Sequence, residues 1–233
     1  MRFGRVTGAV IVALGLSASL AVAGSITQTQ DFSGTPNLVR SLTFDQFDDG
    51  GGSLILQSIK VIVSLDVDGG QYILDNDGDQ PASGTLSFGA KGDISSGDVS
   101  LLNSSLQPVT SELEATHSGS FNLAAQDGDG TYDYDPTPPD GLQYDGGVES
   151  DSTSGFISPT VFGQYTGAGT YDIDVTVDQW QDFGGISGIE WAVTPVSASG
   201  AVTVIYNYIV VPEPATLALA ALAGLLVIRR RHR

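Results

Sequence analysis

The sequence predicts an all-β fold, an antiparallel β-sandwich of jelly-roll type. Several segments alternate apolar and polar residues with period two, and no long segment of the body carries a helical period. Connectors rich in Gly and Asp separate many of these segments, as turns between short strands require.

In chain order, residues 25–32 and 38–44 read as short strands. Residues 54–66 are β-branched and apolar, with Ile59, Val61, Val63 and Leu65 on one face. Residues 84–90 and 119–124 are further short strands. Residues 127–155 are rich in Asp, Gly, Pro and Tyr and read as a long surface excursion. Residues 171–177 alternate cleanly: Tyr171, Ile173, Val175 and Val177 point inward, and Asp172, Asp174 and Thr176 outward. Residues 188–193 and 202–209 complete the set, the last with Val202, Val204, Tyr206 and Tyr208 on one face.

Both ends of the chain differ from this body. Met1 to Arg5 is a short basic stretch, residues 6–20 are apolar and small, and Ala21-Val22-Ala23 fits the small-x-small cleavage pattern. This is a secretory signal peptide removed before Gly24, so residues 1–23 stand apart from the fold. It requires a Sec translocon and signal peptidase as partners. At the other end Val211-Pro212-Glu213-Pro214 precedes an uncharged apolar run, residues 215–228, and then Arg229, Arg230, Arg231, His232 and Arg233. As a helix that run of 14 residues is about 21 Å long, short of the ~30 Å core of a bilayer. Pro214 suits the first turn of a helix and not its interior. The Arg cluster belongs on the cytoplasmic side, which places the body outside. The domain organisation is therefore residues 1–23, 24–210 and 211–233.

This three-part tail resembles the PEP-CTERM sorting signal of Gram-negative bacteria. The resemblance implies processing near Pro212–Pro214 by exosortase, transient residence in the inner membrane, and delivery to the cell surface or the extracellular space. An ordinary single-pass anchor shares the apolar run and the basic flank, and the Pro-Glu-Pro is what separates the two. Within the body, Leu42-Thr-Phe-Asp-Gln-Phe-Asp48, Gly52-Ser-Leu-Ile-Leu-Gln-Ser-Ile-Lys-Val61, Tyr165-Thr-Gly-Ala-Gly-Thr170 and Val202-Thr-Val-Ile-Tyr-Asn-Tyr208 together resemble the choice-of-anchor E domains, β-rich bacterial surface proteins with alternative C-terminal anchors. That family implies no catalytic residues.

The body holds 26 acidic residues against three bases, Arg40, Lys60 and Lys91, a net charge of −23. Such a surface repels nucleic acid and anionic membranes and attracts cations. With no cysteine the exported chain has no disulfides, so a core or bound cations must stabilise it. Two stretches place carboxylates at alternate positions, Asp75, Asp77 and Asp79 in the first, and Asp127, Asp129, Asp133 and Asp135 in the second. Clustered carboxylate oxygens suit calcium, and the same composition suits solvated turns. Neither stretch is an EF-hand: Gln80 and Tyr132 stand where that loop requires Gly.

Catalysis is not expected. His117 is the only histidine of the body, in a Ser/Thr-rich stretch typical of a surface loop, and no nucleophile-elbow motif surrounds any Ser. Zinc-site clusters of His and Cys are absent from the sequence. Trp180, Tyr132 and Tyr134 are candidates for stacking on sugar rings, whereas Trp191 lies in an apolar strand. The leading expectation is a structural or adhesive matrix protein associated with exopolysaccharide. A carbohydrate-binding module is the alternative, and a polysaccharide hydrolase the second alternative.

Overall fold

The computed structural model describes residues 22–128 and 133–211. The signal peptide up to Ala21 and the tail from Pro212 onward, with Glu213, Pro214, Arg229, Arg230, Arg231 and Arg233, lie outside the described residues.

Eleven strands and one 3₁₀ turn make up the described chain: β1 (Ala23–Gly34), β2 (Leu38–Asp45), β3 (Leu54–Asp68), β4 (Gln71–Asn76), β5 (Ala82–Ser95), β6 (Leu113–Leu123), β7 (Gly141–Asp145), β8 (Val148–Phe156), the 3₁₀ turn Pro159–Gln164, β9 (Thr170–Asp182), β10 (Ile189–Thr194) and β11 (Ser197–Val210). All strand pairs are antiparallel. The pairs β1–β11, β2–β9, β3–β8, β4–β7 and β5–β6 nest one inside the next. The chain is thus one long hairpin, closed between β5 and β6 and rolled up. That is the winding of a jelly roll.

Rolling gives two four-stranded sheets, β1-β11-β3-β8 and β2-β9-β5-β6, and a three-stranded sheet β10-β4-β7. The small sheet continues the first: β3 runs into β4, β7 into β8 and β10 into β11. The crossings fall at Gly69–Gly70, Gly146–Gly147 and Pro195–Val196. Gly69 and Gly70 hold φ of +74° and +80°, which a side chain strongly disfavours. A methyl group at Gly70 would also stand 2.8 Å from Val196 and 3.1 Å from Phe88.

The inward faces are those the alternation predicts. Ile59, Val61, Val63 and Leu65 of β3, Val202, Val204 and Tyr206 of β11, and Tyr171, Ile173, Val175 and Val177 of β9 are all buried. Tyr208 is partly buried and packs on Phe47, with ring centres 5.6 Å apart. Tyr171 and Tyr206 join the two large sheets through their hydroxyls at 2.6 Å.

Residues 127–155 depart from expectation, because β7 and the larger part of β8 fall within them. In register with inward Leu65, Val63 and Val61, β8 carries Asp151, Thr153 and Gly155. These polar and small residues meet backbone and not core side chains. Asp151 accepts from the Glu114 N–H at 2.9 Å, Thr153 accepts from the Ser111 N–H at 3.4 Å, and a methyl group at Gly155 would overlap the Val109 carbonyl.

Candidate functional site

Asp75 lies near the end of β4, the central strand of the small sheet, opposite Glu190 of β10 on one side and Gly141 of β7 on the other. Cross-strand partners share a face, so the two carboxylates point the same way. Residues 135–137 cross over that face above Gly141, where any Cβ would collide with the Asp135 carbonyl and the peptide that follows it. Asp75 is only 2 % exposed, and one of its oxygens accepts the Asp135 N–H at 3.1 Å.

Asp133 completes the cluster. One carboxylate oxygen each from Asp75, Asp133 and Glu190 lie within 4.8 Å of one another. The bases of the body sit elsewhere, Arg40 on β2, Lys60 on β3 and Lys91 on β5. The carboxylate oxygens of the cluster are the hard donors that calcium takes.

The two acidic stretches do meet, though not as two separate loops. Asp79 accepts from Gln126 Nε2 at 2.7 Å, the Gln126 N–H donates to the Gly78 carbonyl at 3.0 Å, and the Asp127 N–H donates to Asp140 at 2.7 Å. Asn76 is buried and donates to the carbonyls of Gln80 and Ala124. Asp135 turns to the Thr137 N–H at 2.9 Å, and hydrogen bonds from Thr137 hold its carboxyl below the ordinary aspartate range. Asp77 follows β4 in the connection to β5. Of the seven aspartates singled out in the sequence, the cluster takes Asp75 and Asp133 and leaves Asp77, Asp79, Asp127 and Asp135 outside it. Asp129 lies outside the described residues. Glu190 is absent from the sequence reading because nothing local marks it; the β4–β10 register alone brings it to Asp75.

Of the candidate sugar-stacking residues, the described Trp180 and Tyr134 lie on different elements, β9 and the connection before β7. Trp180 is 36 % exposed on the outer face of β9, and Lys91 Nζ stands over its ring at 3.8 Å. Lys91 also reaches Glu114 at 3.5 Å and Glu112 at 4.0 Å. One ring face is therefore taken by an ammonium group. Tyr134 is exposed in the loop over the small sheet, with φ of +55°, and Tyr132 lies outside the described residues. Trp191 departs from the expectation of an inward residue: it is 37 % exposed, as open as Trp180, although one side of it packs on Phe183 and Tyr72 with ring centres 5.6 and 6.2 Å away.

His117 corrects the expectation of a surface residue. It is 5 % exposed on β6, packed on Phe88 at 5.0 Å, with Nδ1 3.9 Å from Glu149.

At the opposite end of the fold, Ala23 pairs with Ile209 and Gly24 with Tyr208, whose ring lies across Gly24. The Val211 N–H donates to the Ser53 carbonyl at 2.8 Å. The described chain is thus held by backbone hydrogen bonds up to the first residue of the Val-Pro-Glu-Pro sequence.

Residues 210–233 match the PEP-CTERM protein-sorting motif. No curated protein matches the chain. Among solved structures, the chain is similar to one described as the structure of infectious bursal disease virus Gx strain, at 12% identity and a TM-score of 0.20, covering 96% of this chain and 54% of that one. It is also similar to the infectious bursal disease virus VP2 subviral particle, at 12% identity and a TM-score of 0.17, covering 95% of this chain and 54% of that one. The chain spans little more than half the length of either, and neither similarity bears on its function.

Proposed function

We propose that the chain is an exported, exosortase-sorted protein whose body serves outside the cell as a structural or adhesive component of a matrix containing exopolysaccharide. The observation that carries this reading is the sorting motif at residues 210–233, joined to the last strand of the fold with no linker between. Exosortase recognises that motif, and its presence marks the chain for export and processing at the membrane. The matrix role draws on the body. Its acidic surface stays hydrated and soluble beside polysaccharide, and it resembles the choice-of-anchor E domains. In this reading the body has a structural and not a catalytic role, in keeping with the enclosure of its one histidine, His117, against Phe88. Localisation of the chain with and without Arg229–Arg233, read beside co-sedimentation with the polysaccharide of the producing cells, tests both halves. A chain that stays in the inner membrane, or one that leaves it and ignores the polysaccharide, removes the corresponding half.

A second reading concerns the cluster at the far end. Asp75 and Glu190 oppose each other in register with Asp133 beside them, which favours a divalent cation, calcium by donor type, joining the small sheet to the loop above it. Calorimetry with calcium tests it, and absence of both heat and thermal stabilisation rejects it. The glycan-binding alternative rests on the exposed edge of Trp180. It predicts loss of sugar retention in Trp180→Ala and none in Lys91→Ala, which would free the second ring face.

A further inference from the structure

β11 is an inner strand to its last residue, with β1 on one side of it and β3 on the other. On the β1 side Gly24 pairs with Tyr208, and the Val210 N–H donates to the Val22 carbonyl at 2.8 Å. On the β3 side Ile209 pairs with Ile55 and Val210 with Leu54, and the Val211 N–H donates to the Ser53 carbonyl at 2.8 Å. The turn that supplies this carbonyl is itself tied down. The Leu54 N–H donates to the Asp49 carbonyl at 2.9 Å, and the Ser53 hydroxyl to the Gly50 carbonyl at 2.9 Å. Packing closes the same end, where Tyr208, Leu54 and Leu56 rest on the core.

The sorting motif begins at Val210, so its first two residues are bonded into the sheet, and Pro212 follows Val211 directly in the sequence. An enzyme that cuts a peptide bond takes the chain as an extended strand and bonds its backbone N–H and C=O groups. For a cut near Pro212–Pro214, the groups on the upstream side are those of Ile209 to Val211, and the sheet already holds them. Folded chains are cut where the backbone stands free or opens locally.

The ladder has a break that defines such an opening. The β11–β3 register shifts between Asn207 and Tyr208, which leaves three residue pairs, Tyr208–Leu56, Ile209–Ile55 and Val210–Leu54, beyond the irregularity. Before it stands Tyr206, fully buried and bonded to Tyr171 and to the Asp45 carbonyl. We infer that the end of β11 is a gate on sorting: the exosortase cuts after the residues beyond the register shift peel from β3, while Tyr206 holds the rest of the strand in place. The gate rests on the proposed processing near Pro212–Pro214. Val22 belongs to the segment expected to leave with the signal peptide, so that cut opens the β1 side at Val210 and leaves the β3 side closed.

The chain lacks cysteine, which makes the test direct. Leu54→Cys with Val210→Cys places a disulfide across the gate, since cross-strand Cα spacings of about 4.5–5.5 Å lie in the disulfide range. Thr29→Cys with Thr203→Cys places one between β1 and β11 far from it. Each full-length chain is pulse-labelled in its own cells beside the parent, under the same oxidant and the same reductant, and loss of Arg229–Arg233 is read by intact mass. The oxidised gate variant should lose its tail at least about tenfold more slowly than the parent, recover on reduction, and differ in this from the Thr29–Thr203 variant. A second variant, with Gly-Ser-Gly-Ser inserted between Val211 and Pro212, leaves the strand intact and should lose its tail faster than the parent. A parent that is cut, with an oxidised gate variant cut at the same rate or an insertion that brings no acceleration, overturns the gate and leaves the sorting reading standing. A parent that is never cut overturns the sorting reading and the gate with it.

Discussion

The Val210 N–H donates to the Val22 carbonyl at 2.8 Å, so the two ends of the described chain leave the fold side by side. Strands β3, β8 and β11 extend from that end as far as their bends, and beyond the bends β4, β7 and β10 reach the carboxylate cluster. Val210 and Val211, where the sorting motif begins, and the cluster of Asp75, Asp133 and Glu190 thus lie at opposite ends of the roll.

Removing the residues after Val211 is expected to leave the melting of the mature chain unchanged, because the bond from Val211 to Ser53 and the β1–β11 pairing from Gly24 onward remain. Ending the chain before Tyr206 should abolish folding, since Tyr206 is fully buried between the sheets. Circular dichroism melts of the two truncations check both statements.

Asp75→Asn separates the two states of the carboxylate cluster. In chelator the variant should keep the fold, because its amide oxygen still accepts from the Asp135 N–H. With calcium in large excess the parent chain should gain about 5–10 °C, and Asp75→Asn should lose most of that gain. A variant that responds to calcium like the parent speaks against the cluster as the binding place.

Tyr206 donates to the Asp45 carbonyl at 3.1 Å, so its one proton is engaged and Tyr171 is the donor in their mutual bond. Burial pushes the phenols of Tyr72 and Tyr206 up to about 12, and those of Tyr165 and Tyr171 higher still. A neutral tyrosine favoured by folding contributes stability that is complete below pH ~10 and is lost as pH climbs through the folded value. Tm should therefore hold to pH ~10 and fall between about 10 and 12, with phenolate absorbance from these residues appearing only as the chain unfolds. Tyr206→Phe should cost about 1–3 kcal/mol, because it strips the buried Tyr171 hydroxyl of its acceptor and leaves the Asp45 carbonyl only its bond from Gln28 Nε2.

Gly70→Ala should destabilise by about 2 kcal/mol or more, through both the +80° φ and contact with Val196 and Phe88. Gly97→Ala, at a position with open space around it, should cost less than about 1 kcal/mol. Urea melts of the two variants give the comparison.

The large sheets were legible because their strands bury every second side chain against a core, as at Ile59 to Leu65 and Tyr171 to Val177. β8 was not, because its inward positions are Asp151, Thr153 and Gly155, which meet the backbone of residues 109–114. β4, of six residues, and β7, of five, are too short for an alternation to mark them. Asp75 and Asp133 were visible as part of an acidic composition, but composition did not choose them from among seven aspartates. Glu190 enters only through strand register, a contact between residues 115 positions apart. The burial of His117 likewise follows from where β7 and β8 turn, at Gly146, against β6.

The intact mass of the protein recovered from its own cells, fractionated into inner membrane, outer membrane and medium, tests export and sorting most directly. The predicted species begins near Gly24, ends near Pro212–Pro214 and lies outside the inner membrane. A species that keeps Arg229–Arg233 and stays in the inner membrane contradicts the account and makes the apolar run a plain anchor.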